Sequence, residues 1–167
     1  FVRQREPSLL GAQPVPDVGV LPSTNAPLTA TPARVWVDET SARGAHRLLT
    51  ESMIPFHFLH EEALAEWLPQ LKVVILPDQR YLSPGLVEAI ARWVREGGVL
   101  VATACTGILN DAYQESGRFA LEDVLGVRYE GVLDQPHAYI EVQDPRLKAG
   151  TLDMPHLAEA TFALARP

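Results

Sequence analysis

The clearest periodicity lies between Ser83 and Gly98. Leu86, Val87, Ile90, Trp93 and Val94 recur at intervals of three and four, which marks one stripe of an α-helix. Ser83 is placed to cap it, Pro84 sits where a missing N–H costs nothing, and Gly97 and Gly98 supply a left-handed stop. On either side the spacing changes. KVVILP (72–77) and VLVATA (99–104) are unbroken apolar runs, as expected of strands covered on both faces in a parallel sheet.

The remaining segments follow the same alternation. DVGVL (17–21) predicts a short strand. Ala45, Leu48, Leu49 and Ser52 fall at helical spacing and predict a helix over roughly 41–52, or one starting nearer 33. IPFHFLH (54–60) reads as a strand. Ala63, Leu64, Trp67 and Leu68 share one face of a short helix that ends before Pro69. GRFALEDVLG (117–126) predicts a helix stopped by Gly126. VRYEGV (127–132) and AYIEVQD (138–144) alternate as strands do, and an antiparallel pair at an edge is one arrangement for them. Leu157 to Leu164 fits a last helix or a last strand.

Strands alternating with helices imply right-handed crossovers and a parallel sheet. The expected class is α/β: a flavodoxin-like three-layer α/β/α sandwich, strand order 2-1-3-4-5, with a mostly parallel sheet of five or more strands. Residues 1–33 stand apart, because they hold six of the fourteen prolines (Pro7, Pro14, Pro16, Pro22, Pro27 and Pro32). They read as an extended connector plus the first strand, and 17–167 as a single domain. Ligands of such sheets bind beyond the carboxyl ends of the strands. Pro22–Thr24, Pro77–Tyr81 and Thr103–Asp111 would meet there.

Composition narrows the function. A chain of 167 residues, 47% apolar and 21% charged, can build one core and is neither disordered nor fibrous. A net charge of −7 with no Lys/Arg cluster argues against nucleic acid. No apolar run is long enough for a membrane span. One cysteine permits no internal disulfide and no cysteine-based zinc site, and leaves the redox compartment open. A cytoplasmic protein without a cofactor is the expectation. The start, FVRQREP, lacks Met and a signal-peptide core, as an excised piece would.

That cysteine, Cys105, follows a strand and precedes Gly107 by two residues, which resembles a nucleophile elbow. A thiol nucleophile needs a base oriented by a third group. His137 and Glu141 lie in the right downstream region, but on one strand they stand about 13 Å apart. His156 and Glu159 are the spare pair. The competing reading makes Cys105 a small buried apolar residue. Asp78, Asn110 and Asp111 follow the third and fourth strands and could bind a polar ligand or a cation; they also suit loop and cap roles. Glu39, Glu61/Glu62 and Glu122/Asp123 could supply the paired carboxylates of glycoside hydrolysis, yet all read as exposed helix starts or faces. His46, His57 and His60 share one helix–strand unit with poor metal geometry. Trp36, Trp67 and Trp93 fit the core or a subunit contact. Neither a G-x-G-x-x-G nor a Walker pattern is present.

Four stretches taken together carry a resemblance: REPSLLGAQPVPDVGVL, GAHRLLTESMIPFHFLHEEAL, LKVVILPDQRYLSPGLVEAIARWVREGGVLVATACTG and FALEDVLGVRYEG. In this order, over about residues 1–143, the chain resembles the trimerisation domain of family-42-type β-galactosidases and related glycoside hydrolases. The block from ILPD through EAIARWVREGGVLVAT is its most specific part. That module looks like a class I glutamine amidotransferase fold that has lost its chemistry. The resemblance implies a homo-oligomer, trimeric by family, and an adjacent (β/α)₈ barrel carrying the catalytic carboxylates, with residues 1–16 as its exit connector. The accessory domain would pack against neighbouring subunits and help close the barrel's site. The amidotransferase pattern, Gly-x-Cys-x-Gly with His-x-Glu downstream, is only half present here. An amidotransferase-like thiol hydrolase using Cys105 and a small-ligand sensor remain the alternatives.

Overall fold

A computed structural model describes residues 2–12, 15–22, 40–133, 135, 137–150, 154–159 and 162–167. Its centre is a four-stranded, all-parallel sheet formed by β1 (Val18–Val20), β2 (Phe56–Phe58), β3 (Val73–Leu76) and β4 (Val99–Ala102), in the order β2-β1-β3-β4. This is the expected order as far as its fourth strand. The helices between them are α2 (Thr40–Glu51), α3 (Glu61–Trp67) and α4 (Pro84–Arg95). Residues 33–39, where an earlier start of α2 would fall, lie outside the described residues.

Alternation along β3 divides the core. Val74 and Leu76 are fully buried and join Leu64 and Leu68, from α3 and the turn after it, and Leu86, Ile90 and Trp93 of α4. Val73 and Ile75 point the other way, toward Val18, Val20 and Phe56, where Ala45 and Leu49 of α2 cover them. The capping signals hold. Leu86 N–H donates to Ser83 Oγ (3.3 Å), and Pro84 opens α4. The two glycines after it act differently. Gly97 takes φ +107°, whereas a Cβ on Gly98 would stand 2.2 Å from the Trp93 ring. Gly98 is thus a close-approach position that lets the buried indole pack, with Nε1–H donating to the Leu71 carbonyl (3.3 Å). Pro69 sits inside a 3₁₀ turn, Leu68–Gln70, immediately after α3.

Several expectations need correction. The opening segment is not wholly extended: Val2–Leu9 is a helix, α1. Its first five residues lack proline, and Arg, Gln and Glu are good helix formers. The helix expected over 117–126 contracts to α5 (Glu122–Leu125), because Gly117 takes φ +71° and the chain turns before Phe119. The parallel sheet has four strands among the described residues, not five or more. β5 (Arg128–Val132) leaves it to pair antiparallel with β8 (Ala163–Arg166), shifting register between Tyr129 and Gly131. β6 (His137–Ile140) pairs with β7 (His156–Glu159) rather than with β5. The tail is therefore strand, and a single-turn helix, α6 (Pro145–Lys148), precedes it. Phe119, Ile108 and Cys105 pack with Val127, Tyr129 and Ala163, fastening the β5–β8 pair to the loop after β4. Glu122 reinforces this: one carboxylate oxygen accepts the N–H of both Phe119 and Tyr129 (3.2 Å each).

Candidate functional site

Two of the three crevice segments meet at the carboxyl ends of β3 and β4. Pro22 is half-buried beside them, and residues 23–24 lie outside the described residues. Asp78 and Ala104, the second residue past each strand, both take left-handed backbone angles (φ +52° and +49°). Side chains lock them together. Asp78 N–H donates to Thr103 Oγ1 (3.1 Å), and Cys105 N–H donates to Asp78 Oδ1 (3.0 Å). One layer deeper, the buried Thr106 hydroxyl accepts Gln79 N–H (3.1 Å) and has the Leu76 and Thr103 carbonyls within reach (3.0 and 2.8 Å). Gly107 N–H donates to the Gln79 carbonyl (2.9 Å), and Leu109 N–H to that of Arg80 (2.9 Å). Gly107 takes φ +74°, and a Cβ there would press on the Ala120 backbone nitrogen at 3.1 Å.

This arrangement places Cys105 unfavourably for nucleophilic catalysis. The residue is 2% exposed and lies in an apolar cluster with Ile108 and Phe119. Burial pushes its thiol up, Asp78 adds to the shift, and Arg80 opposes it. The charged groups acting on the thiol, Asp78, Arg80 and Glu115, include no histidine. His137 belongs to the β6–β7 pair and faces Glu159 (3.8 Å), not Glu141. The strained backbone angle falls on Ala104, and a non-helical loop follows Cys105, unlike the strand-to-helix turn of a working elbow.

The other candidates hold loops in shape. Asn110 Oδ1 accepts the N–H groups of Ala112 (2.9 Å) and Gln114 (3.1 Å). Asp111 Oδ1 accepts the Tyr81 hydroxyl (3.3 Å), whose pKa is raised first by burial and then by that carboxylate. The Tyr81 and Tyr113 rings stand 4.8 Å apart, and Arg80 reaches Glu115 (3.1 Å) across the same loop. Asp78 therefore faces Cys105, whereas Asn110 and Asp111 belong to the outer loop. Gln79 and Thr106, the buried polar pair at the centre, carried no signal in the sequence. Their role comes from two strand ends whose positions are 27 residues apart.

The remaining chemistry-bearing residues disperse. Glu61 accepts Ser83 N–H (3.0 Å) at the start of α4, and Glu122 serves the β5 tether. Glu39 and Trp36 lie outside the described residues. His46 stacks on Phe58, His57 meets Trp67 edge-on, and His60 reaches Glu62 (3.1 Å). Among the described residues no group of three or more His, Cys, Asp or Glu could hold a metal, and no helix is long and apolar enough to cross a membrane.

Comparison with known proteins places this fold. Residues 26–152 match the family model of the β-galactosidase trimerisation domain. The chain belongs to that family. Solved β-galactosidases share its fold. That of Bacillus circulans sp. alkalophilus is 22% identical with a TM-score of 0.78, over 98% of this chain and 25% of its own. A GH42 enzyme from G. stearothermophilus gives 0.73 at 14% identity, over 97% and 24%. The enzyme of the psychrophilic Marinomonas ef1 gives 0.70 at 14%, over 99% and 25%. The chain thus spans about a quarter of each of these three structures. No curated protein matches it. The trimerisation domain is an accessory module of a glycoside hydrolase.

Proposed function

We propose that this domain holds together the subunits of a β-galactosidase-type glycoside hydrolase, as a trimer, and that an adjacent barrel supplies the catalytic carboxylates. The family match over residues 26–152 carries this reading. The buried, base-less Cys105 supports it by removing the amidotransferase alternative's nucleophile. We also propose that the fold is a flavodoxin-like sandwich related to class I glutamine amidotransferases. The strand order β2-β1-β3-β4 and a helix on each face support that relation.

Light scattering on the full-length polypeptide tests the assembly. A mass of three chains is expected, falling when residues 17–167 are removed. A full-length protein that runs as a monomer at micromolar concentration removes the proposal. Galactoside hydrolysis should be undetectable in residues 1–167 alone; turnover there would show that the domain carries chemistry of its own.

A further inference from the structure

Cys105 lies in an apolar cluster of its own, apart from the two that sandwich the parallel sheet. Its buried members are Cys105, Ile108 and Phe119, with Leu109, Val127, Tyr129 and Ala163 packed against them. All but one of these fall between Cys105 and Tyr129, along the loop after β4 and into β5. Ala163 is the exception. It arrives with β8, past residue 152, where the family match ends.

The two strands of the β5–β8 pair are held unequally. β5 is anchored from the side: Tyr129 N–H donates to Glu122 (3.2 Å), and the Tyr129 ring stands edge-on to Phe119 (5.1 Å). Among the described residues β8 pairs with β5 alone, and the pair shares no ladder with the four-stranded sheet. That ladder is itself interrupted, where the register shifts between Tyr129 and Gly131 and Gly131 takes φ +143°. After Ala163 the side chains of β8 are exposed, Leu164 by 43%. The Phe162 carbonyl accepts Leu133 N–H (2.9 Å), and Arg166 reaches Glu130 (3.1 Å) with both partners exposed. An exposed ion pair adds little stability, and two strands without a third or a covering helix are marginal in water. Local opening costs least where little apolar surface is buried.

Lifting β8 has a defined consequence. Tyr129, opposite Ala165 in the ladder, loses its strand partner, and Ala163 leaves the cluster. None of the pairings within the parallel sheet involves β8. We infer that β8 is a detachable strap: it closes the apolar cluster around Cys105 and lifts from β5 as a unit of its own, ahead of the parallel sheet. Access to the buried strand-end turn is then set by a strand that lies outside the family match. The thiol reports the position of the strap; no chemistry is assigned to it.

The full-length polypeptide tests this, with iodoacetamide labelling of the Cys105 peptide and amide hydrogen exchange both read by mass spectrometry. Proline inside a strand removes a ladder donor. Leu164→Pro, at an exposed position of β8, should speed Cys105 labelling by on the order of ten-fold, while the β3 peptide keeps its protection. Leu157→Pro makes the same change in β7, at an exposed position opposite Tyr139, and should leave the Cys105 rate within about two-fold of wild type. In the wild-type chain, β8 amides should exchange faster than those of β3. Labelling in dilute urea should show the shallow dependence of a small opening, not the steep one of global unfolding. A Cys105 rate unchanged by Leu164→Pro, an equal rise in Leu157→Pro, or wild-type β8 and β3 amides that open together would each overturn the inference. A Leu164→Pro chain that loses protection throughout would overturn it too, because β8 would then belong to the core.

Discussion

On the side of the sheet that carries Val74 and Leu76, α3 and α4 lie together, and Leu64, Ile90 and the two strand residues have no exposed surface. On the side that carries Val73 and Ile75, α2 is the helix that packs there among the described residues, and the outer valines of β4 are exposed. The strands are the same, and both faces are apolar. The difference lies in how many helices the chain supplies to each. Parallel sheets are stable when both faces are covered.

That contrast can be broken by mutation. The largest effect is expected on the filled face: Trp93→Ala should cost about 3–5 kcal/mol, read by urea unfolding, through lost burial and the cavity left behind. Next comes Gly98→Ala, whose Cβ would collide with the Trp93 ring. The overpacking should cost about 1–3 kcal/mol, and a neutral result would show that the indole can move aside. Ser83→Ala should cost about 1 kcal/mol by removing the cap of α4. The half-covered face should respond least. Val99→Thr should change the stability of the dissociated chain by no more than about 0.5 kcal/mol, as surface changes do. A loss comparable to that of Trp93→Ala would mean that Val99 is covered within one chain.

Cys105 sharpens the comparison without touching either face. Its thiol is pushed up in the fold, so the unfolded chain gives up this proton first as pH rises. This contribution to stability is fully present below about pH 8.5, the range of a free thiol, and declines as pH rises through the folded value. Alkylation at neutral pH should be slower than for a free thiol, and Cys105→Ser should flatten the alkaline decline. Fast alkylation of the folded protein would restore the nucleophile reading.

The sequence was most legible where local pattern and tertiary structure agree. Ser83, Pro84 and the stripe from Leu86 to Val94 described α4 almost to the residue, because cap and stripe act over a few positions. β3 and β4 were legible as unbroken apolar runs. The strand order up to β4 followed from the handedness of the crossovers. The C-terminal part was legible only as strands. Their partners, β8 for β5 and β7 for β6, lie too far along the chain for local alternation to identify. α1 was missed because Pro7 inside it and the prolines after it dominated the reading of its segment. At the strand-end turn, the sequence singled out Cys105, Asp78 and Gly107. It could not show that Asp78 would bond the Cys105 amide or that no histidine would reach the sulfur.

The sequence by itself determined α2 to α4, the apolar strands and the family, because caps, stripes and short motifs are properties of neighbouring residues. Only the tertiary structure decided that Cys105 is buried without a base, that Gly98 makes room for an indole, and that the outer valines of β4 are exposed. Each depends on which distant segments come to lie side by side. A spacing along the chain cannot encode that, because the same apolar valine is buried under a helix and exposed beside one.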